Sequence, residues 1–555
     1  MKTLKYNIIV IVTLLLVASG CSEDILDEKT PSIVTANSLF LDLAGFEAAL
    51  NGLYANVRME REGRSTSSSD RSSDRLRAEM FLNGTDNMCT NQPDGWGYVA
   101  DSWGESNNAT NSELQGNFTW LYSIINAANT IAGRAENPDV DWEADANKNR
   151  VIAEARAIRA WAYRHLTFTW GDVPLTLEES NGSDIKTDWE RTPVSDVRAQ
   201  IEADLLFAEQ YVPVTPIPGR ISRGAVQHYL AELYLVLNEP GQALIYADKV
   251  INTPEYTLVT ERYGVQSSEP GVPFMDMFLE GNSNREQGNT EALWVWQWEF
   301  ATAGGEGSDM RRYHTSRYND INIGGVTPFE LTVERGGRPR GRMSLTKFAL
   351  DLYEDGDDRF SNHVIRKYFV LKDASQNDTG VADDLPPGYN YGDIINLDWS
   401  VPITNPETNR KDWPFSRKFE SAIASDIQLS YQYNDQVYLR MADTYLLKAE
   451  AQFLSGNITG AATTINIIRE RANASAITAA DVTMDFILDE RSRELLLEEH
   501  RRYTLLRTGK WLERTQLHNF KGGETIQDRD RLLPIPQSVI DANLTLEFPQ
   551  NPGYN

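Results

Sequence analysis

The sequence predicts a mainly α protein, a scaffold of helical hairpins that carries a loop-rich, irregular face with a few short strands. Three observations predict it. Ala153, Ala157, Ala160, Trp161 and Arg164 recur at spacings of three and four, which draws one stripe of small and large side chains along a helix. Two distant segments, 225–251 and 437–473, share a pattern of two amphipathic runs joined at a turn. Residues 60–117 and 254–430 are rich in Gly, Ser, Asn, Asp and aromatics with weak periodicity. Loops of that length inside a compact protein are usually functional.

The chain opens on an export signal. Lys2 and Lys5 supply a positive start, and Ile8 to Val17 form an apolar run whose one polar residue is Thr13. That run falls short of the roughly 20 residues that span a bilayer. Ala18, Ser19 and Gly20 then precede Cys21, where a bacterial lipoprotein signal ends, although Leu is usual where Ala18 stands. Residues 1–20 are therefore read as a signal peptide and Cys21 as the lipidation site, with more than one acyl chain needed for stable anchoring. Residues 21–555 are read as one domain. Its helical scaffold lies mainly at 40–60, 118–253 and 434–516, and the decoration at 60–117 and 254–430.

Within the scaffold, the pattern is helical from Phe118 to Trp170, where Gly171 and Pro174 stop it, and again over Val197–Tyr211. Ala225–Leu237 and Gln242–Ile251 form a hairpin joined at residues 238–241. In the second hairpin, Ala449-Glu450 aligns with Ala231-Glu232, Phe453 with Leu235, Ala461 with Ala243, Ile465 with Ala247 and Ile468 with Val250. Small residues at these positions let antiparallel helices approach closely, and the unit resembles the tetratricopeptide repeat of about 34 residues. Between the hairpins, residues 291–300 alternate and predict a strand whose Trp294, Trp296 and Trp298 share one face, read as framework rather than as a sugar platform.

Composition excludes several classes. The formal charge is −27, and −29 once a leader holding two lysines and no acid is removed, so nucleic acid is not an expected partner. After Cys21 only Cys89 remains, which excludes an internal disulfide in the mature chain. The six histidines make neither HExxH nor a paired metal spacing, and no GxSxG elbow or P-loop is present. Gly304-Gly305-Glu306-Gly307 lacks the third glycine of a dinucleotide loop, and Asp355-Gly-Asp-Asp358 is too compact for an EF-hand. No catalytic residue and no cofactor are assigned; a structural cation such as calcium in one of the loops stays open.

Binding has better candidates. Aromatic rings cover the flat C–H faces of sugars, while Asn, Asp and Arg satisfy their hydroxyls. Residues 83–108 supply Asn83, Asp86, Trp96, Tyr98 and Trp103, with glycines at 95, 97 and 104. A second candidate is basic. Arg311, Arg312, Arg317, Arg335, Arg338, Arg340 and Arg342 lie in 32 residues whose acids are Asp320, Glu330 and Glu334, interleaved with Tyr313, His314 and Tyr318. Arginine forks bind carboxylates and sulfates bidentately. Arg311, Arg312, Tyr313, Arg317 and Tyr318 are candidates to read an anionic glycan, and internal pairing of these arginines with the acidic surface is the alternative.

Four ordered segments carry a resemblance: Ala153–Tyr163 followed by Trp170–Leu175; Val437–Ala451; Asp489–Leu495 with Glu498, Arg501, Arg502, Arg507 and Gly509; and Leu533–Gln537 through Gln550–Tyr554. They resemble the SusD/RagB family of outer-membrane nutrient-binding lipoproteins over nearly the whole mature chain. The resemblance implies a non-enzymatic surface lipoprotein facing the cell exterior, which binds a polysaccharide or oligosaccharide and acts as a lid on a SusC-like TonB-dependent β-barrel importer. It also implies ligand contacts from the 83–108 loop. The matching charges, Arg156, Arg159, Glu450, Glu490, Arg491, Arg493, Glu494 and Arg501, are expected to form ion pairs within the scaffold. Oligopeptide capture, a lipid-anchored glycoside hydrolase and a protein-interaction scaffold are the competing readings.

Overall fold

The computed structural model describes residues 36–62, 77–91, 102–180, 186–400 and 410–554. Cys21, Trp96 and Tyr98 lie outside these. Helix α1, Leu43–Glu62, buries Phe46, Leu50, Leu53, Tyr54 and Val57, a stripe at helical spacing. The run expected from Phe118 to Trp170 is two helices. α2, Ser112–Arg134, starts where the Asn111 side chain accepts from the Glu113 and Leu114 amides, and α3, Asp145–Trp170, follows a ten-residue connection. α3 is buried along nearly all of its last 20 residues, which makes it the central rod. Gly171, at φ +73°, ends it.

α4 (Val194–Tyr211), α5 (Arg223–Val236) and α6 (Pro240–Ile251) follow. α7 (Met441–Leu454) and α8 (Ile458–Arg471) form the second hairpin, which packs against the first through α6 and α7. The Lys448 ammonium meets Asp248 at 2.6 Å, and His228 Nδ1 lies 2.9 Å from Thr444 Oγ1. Hairpins two hundred residues apart are thus neighbours. α9 (Met484–Leu495), α10 (Arg501–Arg507) and α11 (Trp511–His518) close the scaffold, and α12 (Gln537–Ala542) lies near the C-terminus.

Residues 437–440 differ from expectation. They are not the start of a helix but part of a strand, Gln436–Arg440, paired antiparallel with Ala292–Trp296. Trp296 stacks on Tyr438 with centroids 3.9 Å apart, and the Trp294 indole donates to the Gly219 carbonyl at 3.2 Å. All three tryptophans of this segment are buried, as framework. Other two-stranded ladders join Met88–Thr90 to Met343–Leu345, Ile365–Arg366 to Phe415–Ser416 and Tyr368–Val370 to Ile394–Asn396. The loop-rich face therefore has its own packing. Cys89, Met310, Tyr313, Met343 and Trp413 share one apolar cluster, and Tyr318, Phe329, Phe369 and Phe415 another.

Charged residues tie scaffold and loops together. Arg359 reaches Asp357, Glu490 and Glu494 at 2.8–3.0 Å, and Arg440 reaches Glu291, Glu494 and Glu498 at 2.6–2.7 Å. Arg471 pairs with Glu291 and Glu494, and Arg469 with Glu490. Burial alone would raise the Glu490 pKa, but Arg359, Arg493 and Arg469 hold it down at about 2. The expected pairs form for Arg159 with Asp204, Arg491 with Asp443, Arg501 with Asp86 and Glu450 with Arg507. Arg156 is the exception; its guanidinium lies 4.3 Å from the Phe207 ring centroid, and no ion pair forms on it among the described residues.

Candidate functional site

The loop 332–342 makes turns that exclude side chains at three positions, Gly336, Gly337 and Gly341. Gly337 has φ +67°, and a Cβ there would lie 2.8 Å from Ala422 Cβ and 2.9 Å from the Ile427 carbonyl oxygen. Gly341 has φ +55°, and a Cβ there would lie 2.5 Å from the Arg410 carbonyl oxygen. The Gly341 amide donates to Thr315, the Arg317 amide to Arg410, and Arg410 Nε to the Arg340 carbonyl. Residues 315–317, 338–342 and 410 are laced together by these bonds.

The lacing collects arginines. Burial and then the charges of Arg338, Arg312, Arg317 and Arg342 push the Arg340 pKa down to about 10, so four other guanidinium groups act on it. Arg312, Arg317, Arg338 and Arg340 are all half-buried, at the surface. Arg317 pairs with Asp320, whereas no carboxylate among the described residues pairs with Arg312, Arg338 or Arg340. Three surface guanidinium groups with no carboxylate partner among the described residues, in a chain of net −27, are the candidate anion contacts.

Burial removes other expected contacts from reach. Arg311 is 1% exposed, and its guanidinium donates to the carbonyls of Gly336, Ser421, Leu429 and Ser430. It holds the loop and presents nothing to a ligand. Tyr313 is buried beneath Arg342, whose Cζ lies 4.7 Å from the ring centroid, and Tyr318 is buried with its hydroxyl donating to Gly337. Asn83 donates to Thr90 inside the core. Asp86 is gripped by Arg501 and Arg514; burial opposes ionisation, but the two arginines bring its pKa down to about 2. Trp103 is buried edge-on against Trp511 at 5.5 Å, with Arg502 beside it. Of the expected arginine-segment contacts, Arg312 and Arg317 remain at the surface.

Sequence reasoning passed over an aromatic corner at the end of the 292–300 segment. Phe300 is 45% exposed and meets Tyr433 edge-on at 5.2 Å, while Arg58 covers Trp298 and donates to the Gly304 carbonyl. After the turn at 304–307, Ser308 bridges to Gln432, the neighbour of Tyr433.

One group of buried side chains has the makings of a metal site. His500 Nε2 lies 3.3 Å from one Glu60 oxygen and His165 Nε2 3.7 Å from the other. Two histidines and a carboxylate would suit zinc. The hydrogen bonds do not fit it. Arg164, which can only donate, reaches His500 Nδ1 at 2.9 Å, so the hydrogen sits on the Nε2 facing Glu60 and blocks ligation. The Tyr438 hydroxyl donates to Glu60, and burial holds the His165 pKa far below its ordinary value. The trio sits in the core under the hydrogen bonds of Arg164 and Tyr438.

The fold is a helical scaffold with a packed loop face that carries an arginine cluster, and the comparisons give its family. The chain belongs to the SusD family. The family profile described as SusD family matches residues 290–554, and one described as starch-binding associating with outer membrane matches residues 24–235. The starch-binding protein SusD of Bacteroides thetaiotaomicron is 35% identical over 431 residues, 74% of each chain. SusD-like protein P2 of Formosa agariphila is 26% identical over 99% of this chain and 100% of its own. Among solved structures, a laminarin-binding SusD-like protein superposes with a TM-score of 0.67 at 23% identity, covering 92% of this chain and 99% of its own. Among the described residues, no helix is long and apolar enough to cross a membrane.

Proposed function

We propose that this protein is a lipoprotein, anchored in the outer membrane through Cys21 and facing the cell exterior. It captures a polysaccharide or oligosaccharide without cleaving it and passes it to a SusC-like TonB-dependent importer. The ligand is an anionic glycan. The observation that carries this is the group Arg312, Arg338 and Arg340, surface guanidinium groups with no carboxylate partner among the described residues, on a member of a family with starch-binding and laminarin-binding relatives. Guanidinium forks match carboxylates and sulfates two oxygens at a time. Phe300 and, from the 83–108 loop, Trp96 and Tyr98 are proposed to cover sugar faces, with Arg317 as a further anion contact. Tethering beside the importer raises effective concentration, so modest affinity at one site suffices.

The test is affinity electrophoresis of residues 22–555 in gels of laminarin, alginate, polygalacturonate, carrageenan and chondroitin sulfate. Retardation by an acidic polymer that is lost in Arg338→Ala/Arg340→Ala supports the reading. Retardation by laminarin alone, unaffected by that variant, overturns the anionic assignment. No retardation by any polymer overturns glycan capture.

A further inference from the structure

A second concavity lies on elements that share no residue with the arginine cluster. It is a groove of about 550 Å³ between α2, residues 174–180 and 186–189, and the C-terminal stretch around α12, within the usual size range of ligand pockets. Phe118 and Tyr122, one helical turn apart on α2, form its floor with Phe548. Trp189 forms a wall, half-buried, with the Lys186 ammonium 4.5 Å from its ring centroid and no protein acceptor for its indole N–H among the described residues. Ser123, Asn126, Thr176 and Ser538 put hydroxyls and an amide on the rim.

The walls are fixed in advance. Asn543 accepts from the Trp189 amide at 2.6 Å and donates to the Trp189 carbonyl at 3.0 Å, while Thr187 accepts from the Leu544 and Thr545 amides. Across the groove, Asn126 Oδ1 accepts from the Ser180 amide at 2.7 Å, and the Tyr122 hydroxyl donates to the Pro174 carbonyl at 2.7 Å. Preorganisation of this kind lowers the ordering cost of binding. No carboxylate lines the groove among the described residues, although acids outnumber bases in the chain 80 to 53. Such a lining suits a neutral or negatively charged ligand with flat apolar faces and a hydroxyl edge.

We infer that this groove is a second saccharide-binding site, holding one or two sugar units of the glycan bound at the arginine cluster or of another chain of the same polymer. The inference rests on the glycan-capture reading. Two contacts on one long polymer would multiply retention without either being tight.

Trp189→Ala removes the wall. Thr119→Trp, a change at an exposed position on α2, plugs the groove while leaving every wall in place. Both are run with wild type and Arg338→Ala/Arg340→Ala in the same gels, after thermal melts confirm folding. On the polymer that retards wild type, each groove variant is expected to weaken retention about tenfold, and combination with the arginine variant to lose more than either alone. Retention unchanged in Thr119→Trp, on a polymer that retards wild type, overturns the groove and leaves glycan capture standing. Absence of retardation of wild type by every polymer overturns both.

Discussion

Two groups of arginines lie within this molecule and serve opposite ends. Around Glu494, Arg359, Arg440 and Arg471 are fully buried, and each meets at least two carboxylates. Around Gly341, Arg312, Arg338 and Arg340 stand at the surface without a carboxylate partner among the described residues, and the charges acting on Arg340 are those of other arginines. The same side chain is a rivet in one place and an unfilled valence in the other. What separates them is counter-charge: α9 brings Glu490 and Glu494 to the first group, with Glu291, Asp357 and Glu498 beside them, while the glycine turns bring arginines together in the second.

The largest break in that comparison comes from the buried group. Glu494→Ala leaves Arg359, Arg440 and Arg471 short of a partner in the core and should cost about 3–5 kcal/mol, measured by denaturant unfolding. A neutral result would mean that the network contributes nothing to stability. Arg338→Ala/Arg340→Ala should do the reverse, leaving stability within about 0.5 kcal/mol while weakening retention by an acidic polysaccharide about a hundredfold, or about 2.7 kcal/mol. Equal destabilisation by both changes would erase the distinction.

Acid sharpens it further. Glu490 and Asp86 titrate near 2 in the folded chain, below the ordinary carboxylate range of about 4. Their stabilisation is whole above that range and drains away as pH falls from about 4.5 to 2. The melting temperature should therefore hold steady from pH 8 to 5 and drop below 4.5. A flat profile down to pH 3 would contradict it. The smallest expected effect is Asp320→Asn, which frees Arg317 from its ion pair. It should tighten acidic-glycan binding about twofold and shift stability by less than about 1 kcal/mol.

Much of the scaffold was legible because its period is local. Ala231-Glu232 and Ala449-Glu450 announce two hairpins within their own sequence, and the charges of residues 489–501 signal pairing even without their partners. Residues 437–440 misled because their pairing partner lies some 145 residues upstream; a Val-Tyr-Leu-Arg run beside a helix looks like its first turn. The site was harder for the same reason. Arg311 and Arg338 are indistinguishable by type and neighbourhood, yet Arg311 is consumed by carbonyls at positions 336, 421, 429 and 430, which no local pattern reveals. Asp86 and Trp103 were claimed by the distant Arg501 and Trp511 in the same way.

Gly337 and Gly341 fix the arginine loop through backbone bends that need no help from the side chains of Arg338 or Arg340. Shape and charge are therefore inherited separately at this place. Lysine, glutamine or an aromatic could replace either arginine while the bends persist, so the charge of this surface can change by one or two codons without a new loop.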